Sequence, residues 1–397
     1  MPSYAVQLML SPVELGLFGK ETIISKLLSA LELVRFERCF LSVYGLDSDF
    51  VLELLKILKS HEVKVSLWTM VLADNPYSSS ALFVPSNKFK YCENLVSWKK
   101  MEEGGEQFSF SCPSHYLKDE KAVALSFDRA RQLGVDSLFL DRIRYPAPSN
   151  GFEYFGSCRC SECSGRYKEL YGKAMPDIAE NAALLAKEGA KGASLFMKEC
   201  RDLIAFRNNT IYDICGIYRA NAKKQGMEIG LDLFAPALSM LVAQDYKLLQ
   251  GQCDFIKPML YTKANAVAGL PLEFYIFVKN LTVLEVPLKQ ALAFTAAISG
   301  LGKEELSKNM DNRSFEEALA GSEFIKAKKL CKKALQKYDN FLYAGIELVN
   351  HPAYETKISD RNCKNYLSSL SGENIAACWN LLHIPDKNFK CMAMAEN

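Results

Sequence analysis

The sequence predicts an α/β fold of the (β/α)8, or TIM, barrel type. Eight short apolar runs punctuate the chain, at 4–10, 38–45, 63–71, 136–144, 227–234, 253–261, 341–349 and 374–380. Most are bounded by polar residues or glycine, as strands buried on both faces are. Helical patterns fill the intervals. Eight such alternations over 397 residues fit a closed barrel better than an open doubly wound sheet. No glycine fingerprint follows the first run, which argues against a dinucleotide-binding sheet.

In chain order, residues 20–34 put Ile23, Leu27, Leu31 and Val34 on one helical face. Asp47 and Ser48 offer caps for a helix over 47–59, whose apolar positions are Phe50, Leu54, Leu55 and Leu58. Residues 118–133 stop at Gly134, a natural residue just past a helix end. Residues 195–224 read as one long helix or two abutting ones, ending near Gly226, and further helices are expected over 315–338 and 357–370. Three connections are long: 72–117, 145–194 and 262–340. Each follows a strand and so rises from the C-terminal face, where barrel enzymes keep their sites. The chain, 1–397, is read as one barrel domain with these three segments as insertions.

Composition narrows the function. Hydrophobic residues make up 49% and charged residues 24%, enough for a large core and unlike a disordered chain. Lys+Arg is 48 against Asp+Glu 46, so no basic excess points to nucleic acid. No apolar run has membrane-spanning length, and Met1-Pro2-Ser3-Tyr4 lacks the features of a signal peptide. A cytoplasmic protein is expected, with no membrane partner, and a homo-oligomer is compatible with the sequence. Thirteen cysteines then read as reduced thiols or metal ligands rather than disulfides.

Acidic residues at strand ends are the candidate catalysts. The fourth run ends Leu140-Asp141-Arg142-Ile143-Arg144-Tyr145-Pro146, placing Asp141 at the barrel mouth with Arg142 and Arg144 to hold it ionised. Glu347 is a lone carboxylate in the apolar seventh run, and Asp232 stands in the fifth. Paired carboxylates flanking a bond are what glycoside hydrolysis needs: one protonates the leaving oxygen, the other attacks or activates water. The leading assignment makes Asp141 the acid/base and Glu347 the nucleophile. A variant makes Asp141 the nucleophile and Asp232 the acid. Lys257, Tyr261, Asn380 and His383 are candidate sugar contacts with Arg142, Arg144 and Tyr145, while Trp68 and Trp379 offer stacking faces. Structural alternatives stay open: a rim ion pair for Asp141, a bridge from Glu347 to Lys257 or an arginine, and a neutralised Asp232–Lys257 pair. The four histidines show no paired ligand spacing, which speaks against a histidine-based metallohydrolase. A non-catalytic carbohydrate-binding or scaffold protein on the same fold is the rival function.

Cys158, Cys160 and Cys163 form C-x-C-x2-C after the fourth strand, and Cys112 lies in the connection after the third. Neighbouring barrel segments can bring the four together as a closed structural zinc site.

An upstream cysteine, C-x-C-x2-C and an aromatic-rich helix with a Tyr-Gly stop together resemble the zinc site of family-42 β-galactosidases. The matching residues are Cys112, Cys158, Cys160, Cys163 and 166–172. That resemblance implies a structural zinc, an acid/base glutamate ending strand four within an Asn-Glu pair, and a nucleophile glutamate ending strand seven. Here strand four has Leu140-Asp141 instead, and Glu347 matches the strand-seven position by strand count. Residues 135–146, 230–261 and 377–385 also resemble glycosidase-like barrel proteins of unassigned activity, which implies a carbohydrate substrate without naming one.

Overall fold

All eight expected strands form, and they close on one another. The computed structural model describes residues 3–89, 92–101, 108–338, 341–351 and 356–396. Its barrel strands are β1 (Tyr4–Leu10), β2 (Phe36–Val43), β3 (Lys64–Met70), β4 (Ser137–Asp141), β5 (Glu228–Phe234), β6 (Phe255–Met259), β7 (Ala344–Glu347) and β8 (Ile375–Cys378). Around the barrel the order is β1-β8-β7-β6-β5-β4-β3-β2, and every neighbouring pair is parallel. β4 stops at Asp141, short of 144, because Arg142 adopts a φ of 54° that turns the chain out of the sheet. After β7 a small antiparallel pair, Asn350–His351 with Thr356–Lys357, had no sequence signal, since two-residue strands show no alternation.

The helices follow their caps. The Asp47 side chain accepts from the Asp49 amide at the head of Ser48–Ser60. The long pattern breaks at Cys200 into Gly189–Glu199 and Arg201–Gln225, and Gly226 ends the second in the left-handed conformation. A short helix that the periodicity did not reveal, Pro12–Phe18, starts at a Ser11–Glu14 capping box. No helix among the described residues is long and apolar enough to cross a membrane.

Side chains fill the barrel in tiers. At the N-terminal end Arg38 pairs with Glu228 at 2.8 Å and donates to Ser66, which bonds Ser137. Above it Phe40 stacks on Phe139 at 4.1 Å, with Phe255 and Tyr343 completing the ring cluster. Gly230 makes this tier possible, because a Cβ there would lie 2.1 Å from the Phe255 ring. Gly230→Ala should therefore destabilise the fold by about 1–3 kcal/mol through overpacking. Urea unfolding measures this, and an unchanged midpoint would show that the ring has room to move. Gly345 likewise leaves space for the Lys257 stem, which would sit 3.1 Å from an added Cβ. The Lys257 side chain can then reach the tier that opens toward the C-terminal rim.

Candidate active site and metal centre

Alternation along each strand decides which polar side chains share the upper tier. The β4–β5 register pairs Leu140 with Leu231, so Asp141 and Asp232 are next in line on adjacent strands; the β5–β6 register pairs Asp232 with Lys257. The Lys257 ammonium lies 3.0 Å from Asp232 and 2.9 Å from the Tyr261 hydroxyl, with the Cys378 sulfur at 3.5 Å. Gln7 of β1 reaches Asp232 at 3.5 Å. Burial pushes Asp232 up to about 8, against the pull of Lys257, and the nearby Asp141 charge adds to the rise. The Asp232–Lys257 pair anticipated as an alternative is thus formed, within electrostatic reach of Asp141.

Asp141 is only half-buried. Trp68 Nε1 donates to one of its oxygens at 2.9 Å, and the Arg142 amide donates to the other at 2.5 Å. The flanking guanidiniums, expected to hold it ionised, have other hydrogen-bond and ion-pair partners. Arg142 pairs with Asp74 and lies over the Phe108 ring. Arg144 is buried against Phe110 and Phe234 and donates to the Tyr145 carbonyl and Asn150, acting on Asp141 only through space. Trp68 therefore positions a carboxylate and is itself 7% exposed. Trp379 is half-buried, joined to Cys378 by a cis peptide, with its ring 5.0 Å from that of Tyr261.

Glu347 has a separate set of partners. Tyr366 donates to it at 2.7 Å from an outer helix, and the Lys263 amide donates at 2.5 Å, while Oε2 is buried without a hydrogen-bond partner among the described residues. Burial pushes its carboxyl up to about 7. The folded protein thus holds a proton there that the unfolded chain releases. This contribution to stability is complete below about 4.5 and disappears as pH rises through about 7. Glu347→Gln should flatten the fall in stability between pH 5 and pH 8 by up to about 3 kcal/mol. Denaturant titrations at both pH values test this, and an equally steep fall in the variant would refute it.

The remaining candidates sit as follows. Asn380 caps the turn after β8 and clips it to Met9 of β1 through two hydrogen bonds. His383 packs on Phe18 and His351, and burial lowers its pKa. Tyr145 is fully buried beneath the Arg207 guanidinium. Sequence reasoning missed Gln7, Asp74, Tyr366 and Glu273. Glu273 accepts from the Ser149 amide and hydroxyl and from the Ala268 amide, joining the segments after β4 and β6. A signal for Glu273 existed, since it is the one acid in the apolar stretch 270–278.

The four cysteines converge. Cys112, Cys158, Cys160 and Cys163 bring their sulfurs within 4.8 Å of one another, with Cys112 at 3.5 Å from Cys160 and 3.4 Å from Cys163. A tetrahedral ion with metal–sulfur bonds of about 2.3 Å needs sulfur separations near 3.8 Å, so the group can hold a metal ion. The Val84 amide donates to Cys158 at 3.3 Å, and the Cys163 amide to Cys160 at 3.4 Å. Such N–H donors favour thiolates, as does the N-terminus of the helix Ser161–Tyr171 on which Cys163 sits. Gly172 ends that helix at a φ of 68°. Within the cluster, hydrogen bonds from Cys158 and Cys163 pull Cys112 down to about 2, and the same bonding pushes Cys158 up to about 12.

No known protein family matches the chain. No curated protein matches it either. Among solved structures it is similar to α-L-fucosidase isoenzyme 2 from Paenibacillus thiaminolyticus, at 10% identity and a TM-score of 0.47, over all of this chain and 49% of that one. It is similar to a β-galactosidase from Bacillus circulans sp. alkalophilus at 12% identity and a TM-score of 0.37, covering 72% of this chain and 43% of that one. A family 2 AP endonuclease from Brucella melitensis is similar over 95% of this chain and 92% of its own, at 10% identity and a TM-score of 0.34. The chain thus spans about half or less of the two glycosidases. What the chain does therefore rests on its own residues.

Proposed function

We propose that the protein is a glycosidase that hydrolyses an O-glycosidic bond at the C-terminal mouth of its barrel, with Asp141 as the carboxyl that meets the bond. One observation supports this above the others: Asp141, half-exposed and oriented by Trp68, stands in line on the adjacent strand with the buried, proton-holding Asp232. A buried carboxyl that holds its proton, beside one that opens to the mouth, is a pair suited to acid-assisted displacement. This favours the variant with Asp141 as nucleophile and Asp232 as acid over the pairing of Asp141 as acid/base with Glu347 as nucleophile.

Two cations near the mouth are committed: Arg142 to Asp74, and Lys263 to Glu317 at 3.0 Å. A neutral sugar suits such a site better than an acidic one. Trp379, half-buried at the mouth, supplies an aromatic face for it. We assign zinc to the four cysteines on ligand chemistry: four thiolates close the coordination sphere, leave no open position for catalysis, and fasten the segment after β3 to that after β4.

The second reading, a carbohydrate-binding or scaffold protein without catalysis, draws on the complete burial of Glu347 and Lys257 and near-complete burial of Asp232. A screen of chromogenic α- and β-glycosides, with metal analysis on the same sample, separates the two. Hydrolysis that survives Glu347→Gln but not Asp141→Asn supports the favoured pairing. Sugar binding with no hydrolysis by the parent protein supports the scaffold.

A further inference from the structure

A surface cleft of about 380 Å³ lies outside the mouth, between the end of β2 and the helix Glu120–Gln132. That volume falls in the range of small-molecule sites. Tyr44, Pro76 and Tyr77 line it on one side and Leu125, Asp128, Arg129 and Gln132 on the other. The Tyr44 and Tyr77 rings stand 6.3 Å apart and tilted by 57°, packed against each other as an aromatic wall. The wall is held in shape from behind. Asn75 accepts from the Tyr77 amide at 2.9 Å and donates to the Val71 carbonyl and the Tyr116 hydroxyl.

Arg129 is the unusual member. It is half-buried in the wall and makes no ion pair or side-chain hydrogen bond among the described residues. The other charges of its helix turn satisfy each other, since Asp128 pairs with Arg131. Elsewhere in this protein the guanidiniums of Arg142 and Arg219 are matched to carboxylates, Asp74 and Asp254. An unmatched guanidinium beside two aromatic faces is a recognition pattern for an anion carried on a ring.

We propose that this cleft is a second ligand site, for a molecule of monosaccharide size bearing one acidic group. The ring would pack against the tyrosine wall, and the carboxylate or phosphate would take the fork of Arg129. Neither Asp141 nor Asp232 contributes, so this site and the catalytic reading stand or fall separately.

The test is a binding titration on the full chain with four probes at millimolar concentration: glucuronate, glucose 6-phosphate, glucose and inorganic phosphate. At least one acidic sugar should bind ~10-fold more tightly than both glucose and phosphate, which is about 1.4 kcal/mol. Whether glucuronate or glucose 6-phosphate is preferred identifies the acid. Arg129→Gln should abolish the advantage over glucose, and Tyr77→Ala should weaken the acidic sugar while leaving the melting temperature in place. The proposal is overturned by no binding of either acidic sugar, by phosphate alone binding as well as they do, or by unchanged affinity in both variants.

Discussion

Cys112→Ser is expected to strip the metal from the protein and loosen two rim segments together. Cys112 belongs to the segment after β3 and its three partners to the segment after β4, so removing one thiolate breaks the only proposed coordinate link between them. Zinc returns roughly 10–16 kcal/mol to small thiolate domains that fold around it. A barrel with its own core should show only part of this, on the order of 3–5 kcal/mol. The loss should be local as well as global. Segments 72–117 and 145–194 should become sensitive to protease before the barrel strands do, because the strands keep their ring cluster. Bound metal should fall from one ion per chain to none by elemental analysis, and cobalt added to the parent protein should give the intense charge-transfer band of a tetrathiolate site. Retention of a full complement of metal in the variant would assign the site to other ligands.

Asp141→Asn is expected to abolish hydrolysis of whichever glycoside the screen identifies. Removal of a carboxyl that attacks or protonates the bond costs at least 10²–10⁴ in kcat. The exchange is nearly isosteric but leaves one acceptor oxygen where Asp141 has two, so either Trp68 or the Arg142 amide loses its bond and folding should weaken by only about 1–3 kcal/mol. Binding of the sugar should persist while turnover fails, a split that a purely structural role would not produce. With Asp232 as the acid, turnover should also decline as pH rises through about 8, where that carboxyl gives up its proton. A variant that turns over at the parent's rate would remove Asp141 from the chemistry and leave the scaffold reading.

The barrel was readable because its information is local. Each strand announces itself as an apolar run between breakers, and caps such as Asp47 and stops such as Gly226 mark where helices begin and end. The cysteine quartet was readable for the same reason, since three members fall within six residues. The mouth was legible only in outline. Sequence pointed to Trp68 and to Asp141, but not to the bond between them, which depends on the β3–β4 register. It suggested that Arg142 would serve Asp141, whereas the positive φ at Arg142 sends the guanidinium to Asp74. Glu347 stood out as an acid in an apolar strand, yet its partner Tyr366 looks like any other buried position of an amphipathic helix. Long-range partners of that kind leave no trace in spacing or composition.

The tiers beneath the mouth have one further consequence. With Arg38 and Glu228 tied across the base and aromatic rings packed over them, the axis is plugged, and the barrel is a cup rather than a conduit. Whatever settles on Asp141 arrives and departs through a single doorway. Under the proposed hydrolysis, a spent molecule would have to clear that doorway before a fresh one could enter, so departure would compete directly with arrival.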